Sequence, residues 1–400
     1  MKKSTSLFLF TVFVISALSS GIAEARIRKN VRPYGNLFMF LGYRDRITYD
    51  AADEMNHDSD MIYKINENSN FGMNFLYKNY TGTFEFGIED TDENRRVKIR
   101  QAYGTAKLKK GKLTVGQAWN PYVKWSHEYA NYFRSDGFGA LNDGPSNQIK
   151  YSYKGFYIDI MKPYIPIRTY IDNIPAANPD ASDPTNDEYI IDYIDREATT
   201  KQKLEDVDSI IPKVAIGYEN NGKTFDWSIG IAGNAYQVKN DNYDEIIDSY
   251  LGYIQFEKKW KRVVMDFSGA FLINPTNYGI SVQGEDMGDY RAGAACAVLN
   301  IATGRYEVKD TWSTQGYLEF GYLFKKVTMF IGGGFSLIDY GIPNTDQDMA
   351  WEGYINFKIP VGNLVALSPS ASYRDYMKDM GGNKEGSEIL AGILCMVSFY

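Results

Sequence analysis

The chain has 400 residues, a formal net charge of −7 and a mean hydropathy of −0.37. That average excludes a polytopic helical membrane protein, which needs many apolar runs of about 20 residues, and a 15% aromatic content excludes a disordered chain. The acidic balance, with no sustained basic stripe, argues against nucleic acid as a partner. Two cysteines, Cys296 and Cys395, cannot build a disulfide framework. His57 and His127 are the only histidines, and no CxxC or HExxH spacing occurs, so a structural zinc site is not expected.

Taken in chain order, the N-terminus reads as an address. Lys2 and Lys3 precede an apolar run from Leu7 to Leu18, and Ala23-Glu24-Ala25 supplies a small-x-small cleavage pattern. The run is too short for a permanent spanning helix. Residues 1–25 are therefore expected to be a signal peptide, leaving residues 26–400 as a single domain outside the cytoplasm.

From there one pattern recurs. Large apolar residues alternate with polar or small ones in Phe71-Gly72-Met73-Asn74-Phe75, in Phe84-Glu85-Phe86-Gly87-Ile88 and in Phe225-Asp226-Trp227-Ser228-Ile229-Gly230-Ile231. It returns in Met265-Asp266-Phe267-Ser268-Gly269 and in Trp351-Glu352-Gly353-Tyr354-Ile355. Period two places each set on one face of a strand. A soluble sandwich also alternates. Three features favour a transmembrane antiparallel β-barrel. The segments approach the 9–11 residues a tilted strand needs to cross a bilayer. Aromatics such as Tyr77, Tyr80, Tyr153, Phe156, Trp260 and Phe324 mark segment ends, as interfacial girdles require. An export signal is present with no helical anchor after it. Backbone groups cannot stay unpaired in lipid, so such strands must close on themselves.

Short connections at 79–81, 109–111, 154–155, 220–223, 258–261, 324–326 and 360–363 alternate with long polar ones at 45–69, 90–96, 121–146, 163–211, 238–247, 274–311, 341–349 and 376–387. Seven short turns and eight long loops join sixteen strands, with both termini on the periplasmic side. The first strand is expected near 35–44 and the last near 388–400, paired to each other. The alanine-rich stretch 291–302 favours helix and reads as a structured part of the sixth long loop. If it formed a strand pair with the segment after it, the total would be eighteen.

The loop at 163–211 carries eleven Asp or Glu between Asp172 and Asp208. A solvated surface loop explains them. A calcium or magnesium site on residues such as Asp183, Asp187 and Glu188, bridging to lipopolysaccharide phosphates or a neighbouring subunit, is the sharper alternative, although no EF-hand spacing supports it. Catalysis is not expected. Ser126 adjoins His127, but neighbours on a strand point to opposite faces, and no GxSxG frames this serine.

Val97 to Tyr122 reads VKIRQAYGTAKLKKGKLTVGQAWNPY. It resembles the fourth and fifth strands of the general Gram-negative porins, where an R-x-A-aromatic strand turns through a glycine hairpin into a strand ending V-G-Q/R-x-aromatic. A long third loop, a strand like Asn147–Tyr151 and a G-F-aromatic strand like Gly155–Tyr157 come next, in the family's order. Two departures stand out. The third loop has Ser135-Asp136-Gly137-Phe138-Gly139 in place of the family's P-E-F-G-G, and the chain ends in Tyr400 rather than Phe. The resemblance implies an outer-membrane porin. Such a protein is a homotrimer among outer-membrane lipids and lipopolysaccharide, with a water-filled channel for passive diffusion of small hydrophilic solutes and ions. It implies that loop 121–146 folds into the lumen as the constriction. By alternation Tyr103 faces lipid, while Lys98 and Arg100 face the lumen, and the family places this arginine on the basic wall of the constriction. The loop carries Glu128, Asp136 and Asp143 beside Lys124, His127 and Arg134. Acids on the loop opposite bases on the wall would set up a transverse field. Solute preference stays open between a general channel and one selective for sugars or anions; an adhesive role through the outer loops is a further alternative.

Overall fold

The computed structural model describes residues 30–49, 55–65, 69–90, 95–123, 138, 139, 141, 144–163, 189, 190, 206–222, 224–239, 244–278, 296–300, 305–341, 346–378, 382 and 384–399. Sixteen antiparallel strands close into a barrel. They are β1 (Val31–Tyr49), β2 (Met55–Ile65 continuing as Asn70–Tyr77), β3 (Tyr80–Asp90), β4 (Arg95–Lys107), β5 (Lys112–Ala118), β6 (Ser146–Tyr153), β7 (Phe156–Met161) and β8 (Asp206–Asn221). The circuit continues with β9 (Phe225–Lys239), β10 (Asp244–Lys259), β11 (Val263–Ile273), β12 (Trp312–Phe324), β13 (Val327–Asp339), β14 (Asp348–Pro360), β15 (Val365–Lys378) and β16 (Gly386–Phe399). Each strand pairs with its sequence neighbours, and β16 returns to β1 from Gly35↔Phe399 to Thr48↔Gly386. The expected pairing of first and last strands is thus present.

β2 is one strand in two pieces. Both run along β1, with Met39↔Ile65 above and Asn36↔Asn70 below, so β2 has two more residues than β1 between these pairs. The expected long loop at 45–69 is therefore mostly paired strand, with Asp45–Tyr49 bound to Met55–Ser59 and Met39–Arg44 to Asp60–Ile65. The ion pairs Arg44–Asp60 and His57–Asp45 decorate this hairpin. Its charge and polarity are what make it look like loop in the sequence.

The alternation works as expected. Ile99, Val115, Ile158, Ile216, Ile231, Ile254, Phe320, Ile355, Ile389 and Ile393 are exposed on the outer face. Rings pair along that face near the short turns, as in Phe156–Tyr218, Tyr218–Trp227, Phe225–Phe256 and Tyr322–Phe324. Trp351–Tyr373 and Phe271–Trp312 form the corresponding belt toward the long loops. A closed ladder with an oily exterior is a multi-pass membrane architecture. The tight turns have the chemistry they need: Lys154 and Gly155 both take positive φ (50° and 90°), the type I′ geometry that matches the twist of a two-residue hairpin.

The alanine-rich segment departs from expectation. Cys296–Asn300 pairs with Arg305–Lys309, and Tyr189–Ile190 adds to the former, in a separate small sheet. Cross-strand hydrogen bonding overrides alanine's helical preference here, a tertiary effect that propensity does not capture. The barrel count stays at sixteen because β11 pairs directly with β12, from Val263↔Tyr322 to Ile273↔Trp312.

Inside the wall, charges at directly opposed positions alternate in sign: Glu352 on β14, Arg374 on β15, Glu388 on β16 and Arg46 on β1. Arg374 Nε lies 3.0 Å from Glu352 Oε2, and Arg46 Nη2 lies 3.4 Å from Glu388 Oε2, all four side chains being buried. Removing one member strands its neighbours. Arg374→Ala should cost about 3–5 kcal/mol. The loss should lower the temperature at which the folded barrel loses its fast electrophoretic mobility, with Arg374→Lys recovering part of it.

Candidate pore constriction

The third loop leaves β5 at Ala118 and returns into β6 at Ser146. At its base, Gln148 Nε2 donates to the Trp119 carbonyl (3.1 Å), and the Ser146 hydroxyl donates to Asn120 Oδ1. The chain then turns inward. Tyr122 is fully buried, packed edge-on against Tyr253 and Tyr278, and its hydroxyl accepts from Lys213 Nζ at 3.0 Å. Its carbonyl accepts from Gln255 Nε2 at 2.6 Å. Leu141 joins the same apolar group with Met161, Ala215, Ala232, Leu251 and Leu272.

The loop tip reaches the far wall. Gly139 N donates to Ser336 Oγ at 3.1 Å, and Phe138 packs against Tyr376 and beneath Arg374. The seat is made of glycine. A Cβ on Gly334 would collide with the Phe138 carbonyl oxygen, and a Cβ on Gly139 (φ 84°) would collide with Gly316. The loop thus crosses the lumen from β5–β6 to β12–β15, as the resemblance implies.

On the wall beside the loop's origin, Arg100 and Lys98 both lie on the lumen side. Arg100 is the extra residue of a β-bulge: Glu85 opposes Gln101 and Phe86 opposes Ile99, so the register steps over Arg100. Its side chain lies over Gly87, where a Cβ would clash with it. Its guanidinium stands 3.4 Å from Glu85 and 5.4 Å from the Trp119 ring centroid. Gln117 Nε2 donates to the carbonyls of Ile99 and Arg100 and holds the bulge. Glu85 also accepts from the Tyr34 hydroxyl (2.8 Å) and Gln101 Nε2 (3.0 Å). Lys98, opposite Gly87, is exposed.

The bulge corrects one expectation. It reverses the parity of everything after it on β4, so Gln101, Tyr103 and Thr105 face the lumen with Glu85, Thr83 and Thr81, and Tyr103 does not face lipid. Glu128, Arg134, Asp136 and Asp143 lie outside the described residues, as do Asp183, Asp187, Glu188, His127 and the signal segment.

Several site residues escaped sequence reading. Glu85, Tyr34 and Trp119 surround Arg100; Lys213 and Gln255 hold Tyr122. Lys150 on β6 ion-pairs with Glu219 (3.1 Å) and sits over the Tyr157 ring. Asp226, Glu257, Asp266 and Glu319 occupy directly opposed lumen positions on β9, β10, β11 and β12. Lys259 Nζ lies 2.6 Å from Glu257, and the Tyr354 hydroxyl donates to Glu319 at 2.7 Å. β12 is half a circumference from β4. Four acids thus share one row on β9–β12, whereas the wall from β3 to β8 mixes the signs, Arg100 beside Glu85 and Lys150 beside Glu219.

No protein-family model and no curated protein sequence matches the chain. Solved structures do. The outer membrane channel DcaP of Acinetobacter baumannii superposes with a TM-score of 0.61 at 13% identity, over 92% of this chain and 97% of that one. Salmonella typhi OmpF, in complex with daunomycin, gives 0.53 at 11% identity, over 92% and 98%. An anion-selective porin from Comamonas acidovorans gives 0.50 at 12%, over 92% and 99%. The chain has the fold of the outer-membrane porins.

The glycine seat yields a test. Gly334→Val should unseat Phe138 and Gly139, and single-channel recordings should show a larger, noisier conductance than the wild type. Unchanged conductance would mean the loop tip does not set the bore.

Proposed function

We propose that this chain is an outer-membrane porin. After export and loss of residues 1–25 it assembles as a homotrimer and passes small hydrophilic solutes and ions by passive diffusion. One observation carries the reading: the lumen is asymmetric. The inner faces of β10, β12 and β14 are buried, from Ser249 to Glu257, Ser313 to Glu319 and Asp348 to Asn356. On the other side Lys98 is exposed, and Arg100, Tyr103, Thr105, Thr114 and Lys150 are half-buried. A hydrated path along a polar wall is what a diffusion channel needs. Purified protein in a planar bilayer should give ohmic channels that insert in steps of three equal levels. A silent bilayer would refute the proposal.

A preference for anions is the finer reading. On the accessible wall Lys98 is exposed, Arg100 lies beside buried Glu85 and Lys150 beside half-buried Glu219; in the row opposite, Glu257, Asp266 and Glu319 are buried and Asp226 is half-buried. Fixed charges lining a pore set its ionic preference. In a salt gradient, Arg100→Ala and Lys98→Ala should each shift the reversal potential toward cations, lowering the anion-to-cation permeability ratio by on the order of twofold. Arg100→Ala with an unmoved reversal potential would remove Arg100 from the constriction.

A further inference from the structure

Gly87 on β3 is a position on the lumen face, beside Glu85, that carries no side chain, and it is buried. A glycine inside a strand weakens it, and often marks a place where another group must approach the backbone closely. Here that group is Arg100. A Cβ on Gly87 would collide with Arg100 Cδ and Cγ, and the next nearest atom is Arg100 Nε at 3.6 Å. At Gly42, Gly334 and Gly392, by contrast, a Cβ would meet a backbone carbonyl oxygen. Main chain cannot yield there without disturbing the ladder, whereas an arginine stem turns about its own bonds. Gly87 is also not among the glycines of positive φ, so its backbone does not demand glycine.

The seat is enclosed on its other sides. The bulge brings the Arg100 side chain to this spot, the kind of re-aiming that bulges provide. Glu85 holds the guanidinium at 3.4 Å, and the Trp119 ring centroid stands 5.4 Å from it. Glu85 is itself fixed by the Tyr34 hydroxyl and by Gln101 Nε2. Opposite Gly87 on β2, Asn70 accepts from Asn36 Nδ2 at 3.1 Å. The arginine side chain is only 12% exposed. A methyl group rising from position 87 therefore leaves the stem one direction, away from the wall and toward the lumen axis.

Two quantities change when it moves. The lumen narrows where Arg100 stands, and the guanidinium separates from Glu85. Coulomb attraction falls with distance and with hydration, so a lifted guanidinium acts on passing ions as a less neutralised charge.

We propose that Gly87 is a positioning residue for Arg100. By lacking a side chain it lets the guanidinium lie back against Glu85 and Trp119, which widens the bore and moderates the ionic preference. This assignment rests on Arg100 being a constriction charge. The test compares wild type, Gly87→Ala, Arg100→Ala and the double variant, each as the full-length protein in planar bilayers, with the folded form checked by gel mobility. Gly87→Ala should lower the single-channel conductance and raise the anion-to-cation permeability ratio by on the order of twofold. The double variant should match Arg100→Ala in both readouts, because the methyl group acts only through the arginine. A glycine needed merely by the strand would not give this cancellation. Equal shifts from Gly87→Ala with and without Arg100 overturn the proposal. So does a Gly87→Ala channel identical to wild type while Arg100→Ala moves the reversal potential. An unmoved reversal potential in Arg100→Ala takes the charge out of the constriction and this assignment with it, so the two failures are told apart. A Gly87→Ala chain that folds only when combined with Arg100→Ala supports the seat. Loss of the folded form in both overturns it, because the glycine would then serve the strand.

Discussion

The constraint beneath this structure is that a peptide group in hydrocarbon has no water to bond with. Every spanning strand must therefore have a neighbour on both sides, and the last must find the first. The register from Gly35↔Phe399 to Thr48↔Gly386 meets that demand. Once closure is fixed, alternation decides the rest. Each residue is on the oily side or the wet side, and a single inserted residue moves everything beyond it to the other face.

The interior is organised by the same registers. On β14, β15, β16 and β1 the opposed charges alternate in sign and pair with one another. On β9 to β12 four acids share one row. The third loop lands between these regions, Tyr122 against Gln255 and Lys213, Phe138 beside Arg374. A buried, paired charge row makes a stiff wall; a wall that is stiff on one side lets the loop narrow the lumen without the barrel yielding to it.

Much of this was legible in the sequence, and the reasons for the gaps are physical. Period-two patterning, aromatic ends and alternating loop lengths suffice for sixteen strands, since each is a local property of the chain. The lumen side of Lys98 and Arg100 follows from parity. Tyr103 does not, because the bulge at Arg100 is stabilised by Gln117 on the next strand, a partner visible only after folding. The row Asp226, Glu257, Asp266 and Glu319 was illegible for a related reason. Its members are scattered over nearly a hundred positions, and only register brings them together. Residues 296–309 show propensity losing to pairing. The hairpin of β1 and β2 was hidden by its own charges, which suit solvent above a membrane as well as they suit a loop.

The way the third loop is fastened bears on how such a channel can diversify. At the tip, its grip on the far wall includes main-chain contacts: a Gly139 amide on Ser336, a Phe138 carbonyl over Gly334, and a backbone pressed on Gly316. Those contacts come from amide and carbonyl groups that every residue type carries. The fastening therefore constrains the wall more than the loop: Gly316 and Gly334 must stay without side chains, whereas position 138 can change its side chain and keep the same carbonyl grip.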